Sequence, residues 1–212
     1  MNTVKFFQNL RAGRNQTVIV YGTSLTAGGA WAIALLEWFD EHFRKQVKFV
    51  NSGGPGENSD WGVMNLPDKV LAHRPDLVFI EFSYNDAHAK FAMPLARGAK
   101  NLDAMVHALR EQNPHVEIVL QTMNVGWDAP NSNRSLSSRP QLESFNDNYR
   151  RYAREQRLPL LDHYQSWMKL KQENPAQFQA FIPDGSHPTK EGNITVAWPA
   201  MRAFLEQARG AK

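Results

Sequence analysis

Five short runs of apolar and β-branched residues recur along the chain, separated by longer segments in which apolar residues repeat every three to four positions. The short runs predict strands that are apolar on both faces, at residues 17–21, 47–50, 77–82, 116–121 and 158–161. The longer segments predict helices at residues 30–44, 63–73, 96–113, 141–156 and 189–208. This alternation predicts an α/β fold, with about five parallel strands covered by helices on both sides of the sheet.

The chain of 212 residues fits a single domain, and we find no internal repeat or linker that would divide residues 1–212. One irregular stretch, residues 123–140, follows the fourth predicted strand and is rich in Asn, Ser, Pro and Arg. Loops longer than about 12 to 15 residues are usually functional or disordered. Because this loop leaves the carboxyl edge of the sheet, we expect it to contact substrate and not to be a flexible insertion.

The composition, with 42% hydrophobic and 21% charged residues, is that of an ordinary globular protein. No apolar tract approaches the roughly 18 residues that span a membrane. Residues 1–11 lack a continuous apolar segment and a small-residue cleavage site, so we expect mature protein in the cytoplasm by default. The periplasm or the exterior is the alternative if a leader has been removed.

The charge pattern and the missing motifs exclude several classes of function. The net charge is +3 with Lys and Arg scattered among acids, so we expect no nucleic-acid partner. The absence of cysteine excludes disulfides, thiolate metal sites and a cysteine nucleophile. There is no His-Glu-x-x-His, EF-hand, P-loop or Gly-x-Gly-x-x-Gly pattern, so we expect no metal and no nucleotide cofactor.

Two candidate catalytic residues lie near the C-terminus, where Asp184 precedes His187 by three residues. This spacing suits one tight turn, in which the carboxylate binds the imidazole Nδ1–H and leaves Nε2 free to take a proton from a hydroxyl. Ser24 supplies that hydroxyl in the turn directly after the first predicted strand. These three residues predict a nucleophile, a base and a group that orients the base.

Such a site also needs hydrogen-bond donors aimed at the developing oxyanion. The backbone N–H of Ser24 is one candidate, the N–H of Gly56 in a glycine-rich turn is a second, and the Asn85 amide after the third strand is a third. Gly53 or Gly54 is the alternative to Gly56. All of these residues follow strands at the carboxyl edge, where open parallel sheets bind ligands.

Four blocks in order, at residues 22–28, 51–56, 84–86 and 184–188, resemble those of the GDSL or SGNH hydrolase superfamily. The resemblance implies a flavodoxin-like three-layer α/β/α sandwich and esterase or thioesterase chemistry without metal or organic cofactor. It also implies that Ser24 is the nucleophile, His187 the base and Asp184 its orienting acid, with Gly56 and Asn85 completing the oxyanion hole.

Two positions depart from that pattern. Thr23 stands where many members carry Asp, and Ser83 stands where many carry Gly. Neither residue makes or breaks bonds, so we expect altered packing around the nucleophile and not inactivity.

The expected function is a serine esterase that removes short acyl groups from a carbohydrate, and we expect the acyl group to be acetyl. The loop at 123–140 is polar with one Trp, and no long apolar stretch suggests an acyl-chain tunnel. Trp61, Tyr84 and Trp127 are candidates for stacking on substrate, with core packing as the alternative. The rival functions are a lysophospholipase or acyl-thioesterase, and a non-catalytic carbohydrate-binding protein on the same fold.

Overall fold

At the centre of the computed structural model, which describes residues 4–130 and 134–211, is a sheet of parallel strands. The strands are β1 (Gln16–Gly22), β2 (Val47–Asn51), β3 (Leu77–Glu81), β4 (Glu117–Thr122) and β5 (Leu160–Asp162). Their order across the sheet is β2-β1-β3-β4-β5, and all neighbouring pairs are parallel. This is the strand order of flavodoxin-like sheets. The predicted α/β fold with about five parallel strands is confirmed.

The helices of the described residues lie before, between and after these strands along the chain. They are α1 (Val4–Arg11), α2 (Ser24–Ala27), α3 (Ala30–Phe43), α4 (Ser59–Lys69), α5 (Ser83–Asp86), α6 (Leu95–Gln112), α7 (Leu142–Gln156), α8 (His163–Glu173), α9 (Pro175–Phe181), α10 (Lys190–Gly192) and α11 (Trp198–Gly210). The helices predicted at 30–44, 96–113 and 141–156 match α3, α6 and α7 to within one residue at each end.

Two predicted helices differ from the structure for local reasons. Helix α4 begins four residues before the predicted segment at 63–73, because the Asn58 side chain accepts hydrogen bonds from the N–H groups of Asp60 and Trp61. The segment predicted at 189–208 is not one regular helix. A π-helical turn at Asn193–Ala197 separates α10 from α11, next to Pro199, which has no N–H to continue a regular ladder.

Alternate residues of the strands face two separate helical layers. One face packs against α1, α3 and α11 through Val18, Val20, Leu77, Phe79 and Val119. The other packs against α4, α6 and α7 through Ile19, Tyr21, Val78, Ile80, Ile118 and Leu120. Because both faces of the central strands are covered, the strands are apolar throughout, as the sequence pattern indicates.

Helices α1, α8 and α9 were not predicted from the sequence. Helix α1 buries Phe6, Phe7 and Leu10 against α3, and each such side chain contributes about 1.5–3 kcal/mol through burial. Helices α8 and α9 form a smaller cluster around Trp167 and Phe178. This cluster supports the segment that leads into the Asp184–His187 turn.

Across the described residues, no helix combines the length and the apolar character that a membrane crossing requires. Residues 1–3 of the N-terminal segment lie outside the described residues.

Candidate active site

Ser24 is the first residue of the one-turn helix α2, directly beyond the end of β1. Thr23 caps this helix, since its hydroxyl accepts a hydrogen bond from the N–H of Leu25 at 3.1 Å. The first N–H groups of a helix have no partner inside it. Accordingly, the Ser24 N–H makes no hydrogen bond within the described residues and is available to a ligand.

Ser24, His187 and Asp184 form a continuous line of hydrogen bonds. Ser24 Oγ lies 2.9 Å from His187 Nε2, and His187 Nδ1 lies 2.6 Å from Asp184 Oδ2. Because a carboxylate can only accept, Nδ1 carries the proton and Nε2 is the acceptor for the serine hydroxyl. The arrangement can therefore move the Ser24 proton to His187 as the serine oxygen attacks an electrophile.

The turn that carries Asp184 and His187 is held by its own backbone. Asp184 Oδ1 accepts the N–H groups of Ser186 at 2.8 Å and His187 at 2.7 Å. Burial alone would raise the pKa of Asp184, but the hydrogen bonds from the His187 backbone and imidazole and from the Ser186 N–H hold that pKa below its ordinary value. Gly185 has a φ of +81°, a left-handed conformation that favours glycine. The carboxyl group is thus ionised beside the imidazole at neutral pH.

The hydrogen bonds of the glycine-rich turn after β2 show which of its three candidate N–H donors is free. The Gly53 N–H is bonded to Asn51 Oδ1 at 3.1 Å, and the Gly54 N–H to the carbonyl of Gly22 at 2.7 Å. Gly56 is exposed, has a φ of +78°, and its N–H makes no hydrogen bond in the part of the chain that the structure describes. Of these glycines, Gly56 has the N–H that is free to meet an oxyanion.

Asn85 lies in the short helix α5, at the end of β3, and is 5% exposed. Its Nδ2 donates to the carbonyl oxygen of Glu57 at 2.7 Å. A primary amide carries two N–H groups, so the second is available to a ligand. Because Glu57 follows Gly56, this bond also ties the two candidate donors to each other.

A buried carboxyl group, that of Glu81 at the end of β3, supports the turn that carries Ser24. Glu81 Oε1 accepts from the Thr23 N–H at 2.6 Å, the Thr23 hydroxyl at 2.9 Å and the Thr26 hydroxyl at 2.7 Å. Burial raises the pKa of Glu81 to about 7, against the lowering effect of the hydrogen bonds from Thr26 and Thr23. Glu81 is not among the residues predicted from the sequence, although an acid inside a buried strand is unusual enough to mark it.

Asp86, next to Asn85, holds the start of α4. Its Oδ1 accepts the Ser59 N–H at 2.8 Å, and burial raises its pKa to about 7. The bond joins the end of β3 to the chain that follows the glycine-rich turn.

A cavity of about 320 Å³ opens beside Ser24 and His187. Its walls are mainly apolar and include Leu25, Ala27, Pro55, Met123 and Pro188. The volume lies at the lower end of the range for small-molecule sites, roughly 300–1,000 Å³. A small apolar group bound there would lie next to the serine oxygen.

The three aromatic residues predicted to stack on substrate do not line this cavity. Tyr84 is 2% exposed and its hydroxyl lies 2.6 Å from Ser135 Oγ, which favours the core-packing alternative for this ring. Its contact with substrate stays a prediction. Trp61 is half-buried against the rings of Tyr21 and Phe82.

Trp127 is also half-buried, and its Nε1–H donates to the carbonyl of Ile182 at 2.7 Å. For Trp61 and Trp127, contact with substrate stays a prediction.

The loop at 123–140 is built around the Asp184–His187 turn. Asn124 Nδ2 donates to the carbonyl of Ser186 at 2.8 Å, and the Trp127 N–H donates to that of Gly185 at 3.0 Å. Met123 reaches the cavity. The expected contact with substrate is thus available at Met123, while Asn124 and Trp127 brace the turn. Residues 131–133 lie outside the described residues.

No cluster of three or more His, Cys, Asp or Glu side chains that could hold a metal ion is present in residues 4–130 or 134–211. The arrangement around Ser24 provides a nucleophile, a base and hydrogen-bond donors from protein groups.

The chain matches the model of a known protein family and is similar to several known proteins. The model of the GDSL-like lipase/acylhydrolase family matches residues 20–193. An arylesterase of Vibrio mimicus is 26% identical over 189 residues, which are 86% of this chain and 85% of that protein. The lipase/acylhydrolase from Enterococcus faecalis has the same fold, with a TM-score of 0.72 and 22% identity over 90% of this chain and 96% of the other. A two-domain esterase active on acetylated mannans superposes with a TM-score of 0.77 and 22% identity over 98% of this chain and 53% of that one.

Proposed function

Because the chain belongs to the GDSL-like lipase/acylhydrolase family and is a serine hydrolase of carboxylic esters, we propose that it cleaves short-chain acyl esters through an acyl-Ser24 intermediate. The resemblance of the four sequence blocks to this family is confirmed. The observation that carries the proposed mechanism is the line of hydrogen bonds from Ser24 through His187 to Asp184.

In the proposed acylation step, His187 Nε2 takes the Ser24 proton while Ser24 Oγ attacks the ester carbonyl carbon. The carbonyl oxygen gains the negative charge and is stabilised by the N–H groups of Ser24 and Gly56 and by the second N–H of Asn85. Asp184 stabilises the imidazolium that forms. The protonated His187 then returns the proton to the leaving alcohol, and the acyl group stays on Ser24.

Deacylation repeats the same chemistry with water as the nucleophile. His187 removes a proton from the water as it attacks the acyl-Ser24 carbonyl, and the same donors hold the second oxyanion. The proton returns to Ser24 as the carboxylic acid departs. Apart from the ester and the water, both proposed steps use protein groups.

The cavity beside Ser24 supports a short acyl group over a long one. Its volume of about 320 Å³ suits a small ligand, whereas a lysophospholipase or long-chain acyl-thioesterase must house a long alkyl chain. These two activities therefore remain the alternatives that the cavity favours less. Family membership argues against the non-catalytic carbohydrate-binding alternative.

For the natural ester we propose an acetyl group on a carbohydrate. The support is the two-domain esterase active on acetylated mannans, whose fold this chain matches over nearly its whole length. The second candidate is an aryl ester, which the apolar walls of the cavity and the similarity to the Vibrio mimicus arylesterase favour.

The test compares initial rates on p-nitrophenyl acetate, butyrate, octanoate and palmitate for the natural sequence and for Ser24→Ala. We expect the rate to fall as the acyl chain lengthens and kcat to fall by about 10⁴-fold or more in Ser24→Ala. Ser166→Ala on α8 is the serine control and should leave the rates unchanged. Met123→Phe narrows the cavity and should steepen the preference for acetate.

Acetate release from acetylated mannan, compared with hydrolysis of phenyl acetate, separates the two candidate natural esters. Retained activity in Ser24→Ala would mean that another residue is the nucleophile. Fastest turnover of palmitate would exclude the short-acyl proposal. Hydrolysis of phenyl acetate with an inert acetylated mannan would favour the aryl ester.

A further inference from the structure

Arg139, near the end of the loop at 123–140, is a buried arginine that grips the segment carrying Asn85. It is 7% exposed. Its Nε–H donates to the carbonyl of Tyr84 at 2.9 Å, and its guanidinium carbon lies 4.0 Å from the centre of the Tyr84 ring. A further N–H, on Nη2, donates to Asn85 Oδ1 at 3.3 Å.

This guanidinium has neutral partners. Its Nη1 donates to the hydroxyl of Ser135 at 2.8 Å and to that of Ser138 at 3.2 Å. It forms no ion pair with a carboxylate of the described residues. Burying a charge without a counter-ion is costly even where it is well hydrogen-bonded. A buried charge with this cost is more typical of a functional site than of a purely structural contact. A neutral side chain can make a structural contact without that cost.

Two neighbours determine which way the Asn85 amide faces. The Glu57 carbonyl can only accept a hydrogen bond, and the Arg139 guanidinium can only donate one. With Nδ2 towards Glu57 and Oδ1 towards Arg139, both contacts are favourable. A flipped amide would set donor against donor and acceptor against acceptor. Arg139 also polarises the amide through Oδ1, which strengthens the remaining N–H as a donor.

We propose that Arg139 is a positioning residue of the oxyanion hole, which holds the Asn85 amide with its free N–H towards the developing charge. The inference rests on the proposed role of Asn85 as an oxyanion donor. Arg139 acts through Asn85 and does not touch the reacting atoms. Its contribution should therefore disappear when the Asn85 amide is removed.

A double-mutant cycle tests this dependence. The variants are Arg139→Met, Asn85→Ala and the combination, with kcat and KM measured on p-nitrophenyl acetate. We expect Arg139→Met to lower kcat by about ten- to hundredfold with little change in KM, because a misplaced donor weakens the transition state more than substrate binding. In the Asn85→Ala background, the same substitution should lower kcat by less than about threefold.

The matched control is Ser138→Ala, which removes one hydrogen bond of the same guanidinium but leaves its charge and its bond to Asn85. Its kcat should stay within about twofold of the natural sequence. An equal loss from Arg139→Met in both backgrounds would assign Arg139 a structural role only and overturn the inference. An unchanged kcat in Asn85→Ala would overturn the proposed role of Asn85 itself, and the inference with it.

Near-ultraviolet circular dichroism and the thermal midpoint establish that each variant is folded. If Arg139→Met does not fold, Arg139→Lys replaces it in the cycle. Lysine keeps the charge but has one nitrogen, which cannot reach the Tyr84 carbonyl and the Asn85 amide together. Coupling with Asn85 should persist at a smaller size, and coupling below about twofold would overturn the inference.

Discussion

The two sides of the candidate site are built in different ways. On the base side, Asp184 and His187 are half-exposed, and the hydrogen bonds of the Asp184 carboxylate join residues two or three positions apart. On the oxyanion side, Asn85 is buried, and its two amide contacts reach 28 and 54 residues along the chain to Glu57 and Arg139. The Asp184 carboxylate makes local hydrogen bonds, whereas the Asn85 amide belongs to a long-range polar network.

The two sides should therefore respond differently to substitution. A change at the Asp184 carboxylate is expected to alter the chemistry of His187, while the bonds from Asn124 and Trp127 still hold the turn to the loop at 123–140. A change in the network leaves buried polar groups without partners, which costs about 1–3 kcal/mol for each group. Activity and stability should therefore separate on the base side and fall together on the oxyanion side.

The greatest loss of kcat is expected for a substitution on the base side. Asp184→Asn should lower kcat by about 10⁴-fold, because the amide no longer stabilises the imidazolium or selects the Nδ1–H tautomer. The amide oxygen can still accept the N–H groups of Ser186 and His187, so the thermal midpoint should change by roughly 2–4 °C or less. Asp184→Ala should lose similar activity and more stability. A kcat above a tenth of the natural value in Asp184→Asn would contradict the role of this carboxylate.

A smaller loss of rate, with a larger loss of stability, is expected on the oxyanion side. Asn85→Ala should lower kcat by about 10²–10³-fold, the usual effect of removing one oxyanion donor. It should also lower the thermal midpoint more than Asp184→Asn does, because Arg139 and the Glu57 carbonyl lose a partner. Paired kinetic and calorimetric measurements on the two variants test the comparison directly.

The isosteric change Asn85→Asp sharpens the same point. A carboxylate would pair with Arg139 but would face both the Glu57 carbonyl and the developing oxyanion with negative charge. Its kcat should be at or below that of Asn85→Ala. Higher activity in Asn85→Asp would show that shape, and not the amide N–H, is what this position supplies.

The smallest effect concerns stability alone and the buried Glu81. Its pKa is raised from about 4.5 to about 7, so between these values the native carboxyl holds a proton that the unfolded chain has released. Unfolding then releases a proton, and the free energy of unfolding falls as the pH rises. We expect the thermal midpoint to drop by roughly 5 °C between pH 5 and pH 8.

Glu81→Gln should reduce this slope without abolishing it, since Asp86 and Glu117 also have pKa values raised to about 7 by burial. Glu117→Gln is the matched control away from the site, and it should reduce the slope while leaving kcat unchanged. A pH profile in Glu81→Gln identical to that of the natural sequence would mean that Glu81 is ionised in the native protein.

The same contrast between local and distant contacts explains which features the sequence could predict. The five strands, helix α6 and the Asp184–His187 turn follow from periodicity and spacing within a few residues. Other features depend on residues that the fold brings together from distant positions. These are the bond from Asn85 to Glu57, the hydrogen bonds of Arg139 and the packing of α1. The burial of Tyr84 has the same origin, because its contacts with Ser135 and Arg139 join residues that are distant in the sequence.

The contact between Thr23 and Glu81 limits how this chain can change in evolution. Many members of the family carry Asp where this chain has Thr23, whose hydroxyl donates to the buried Glu81 carboxyl. Thr23→Asp would place a second acid against the first and create a coupled pair that shares one proton. In a lineage that makes this exchange, the two carboxyl groups next to the nucleophile would have pKa values different from that of Glu81 alone. Compensating substitutions should then appear around residue 81 before any appear in the cavity.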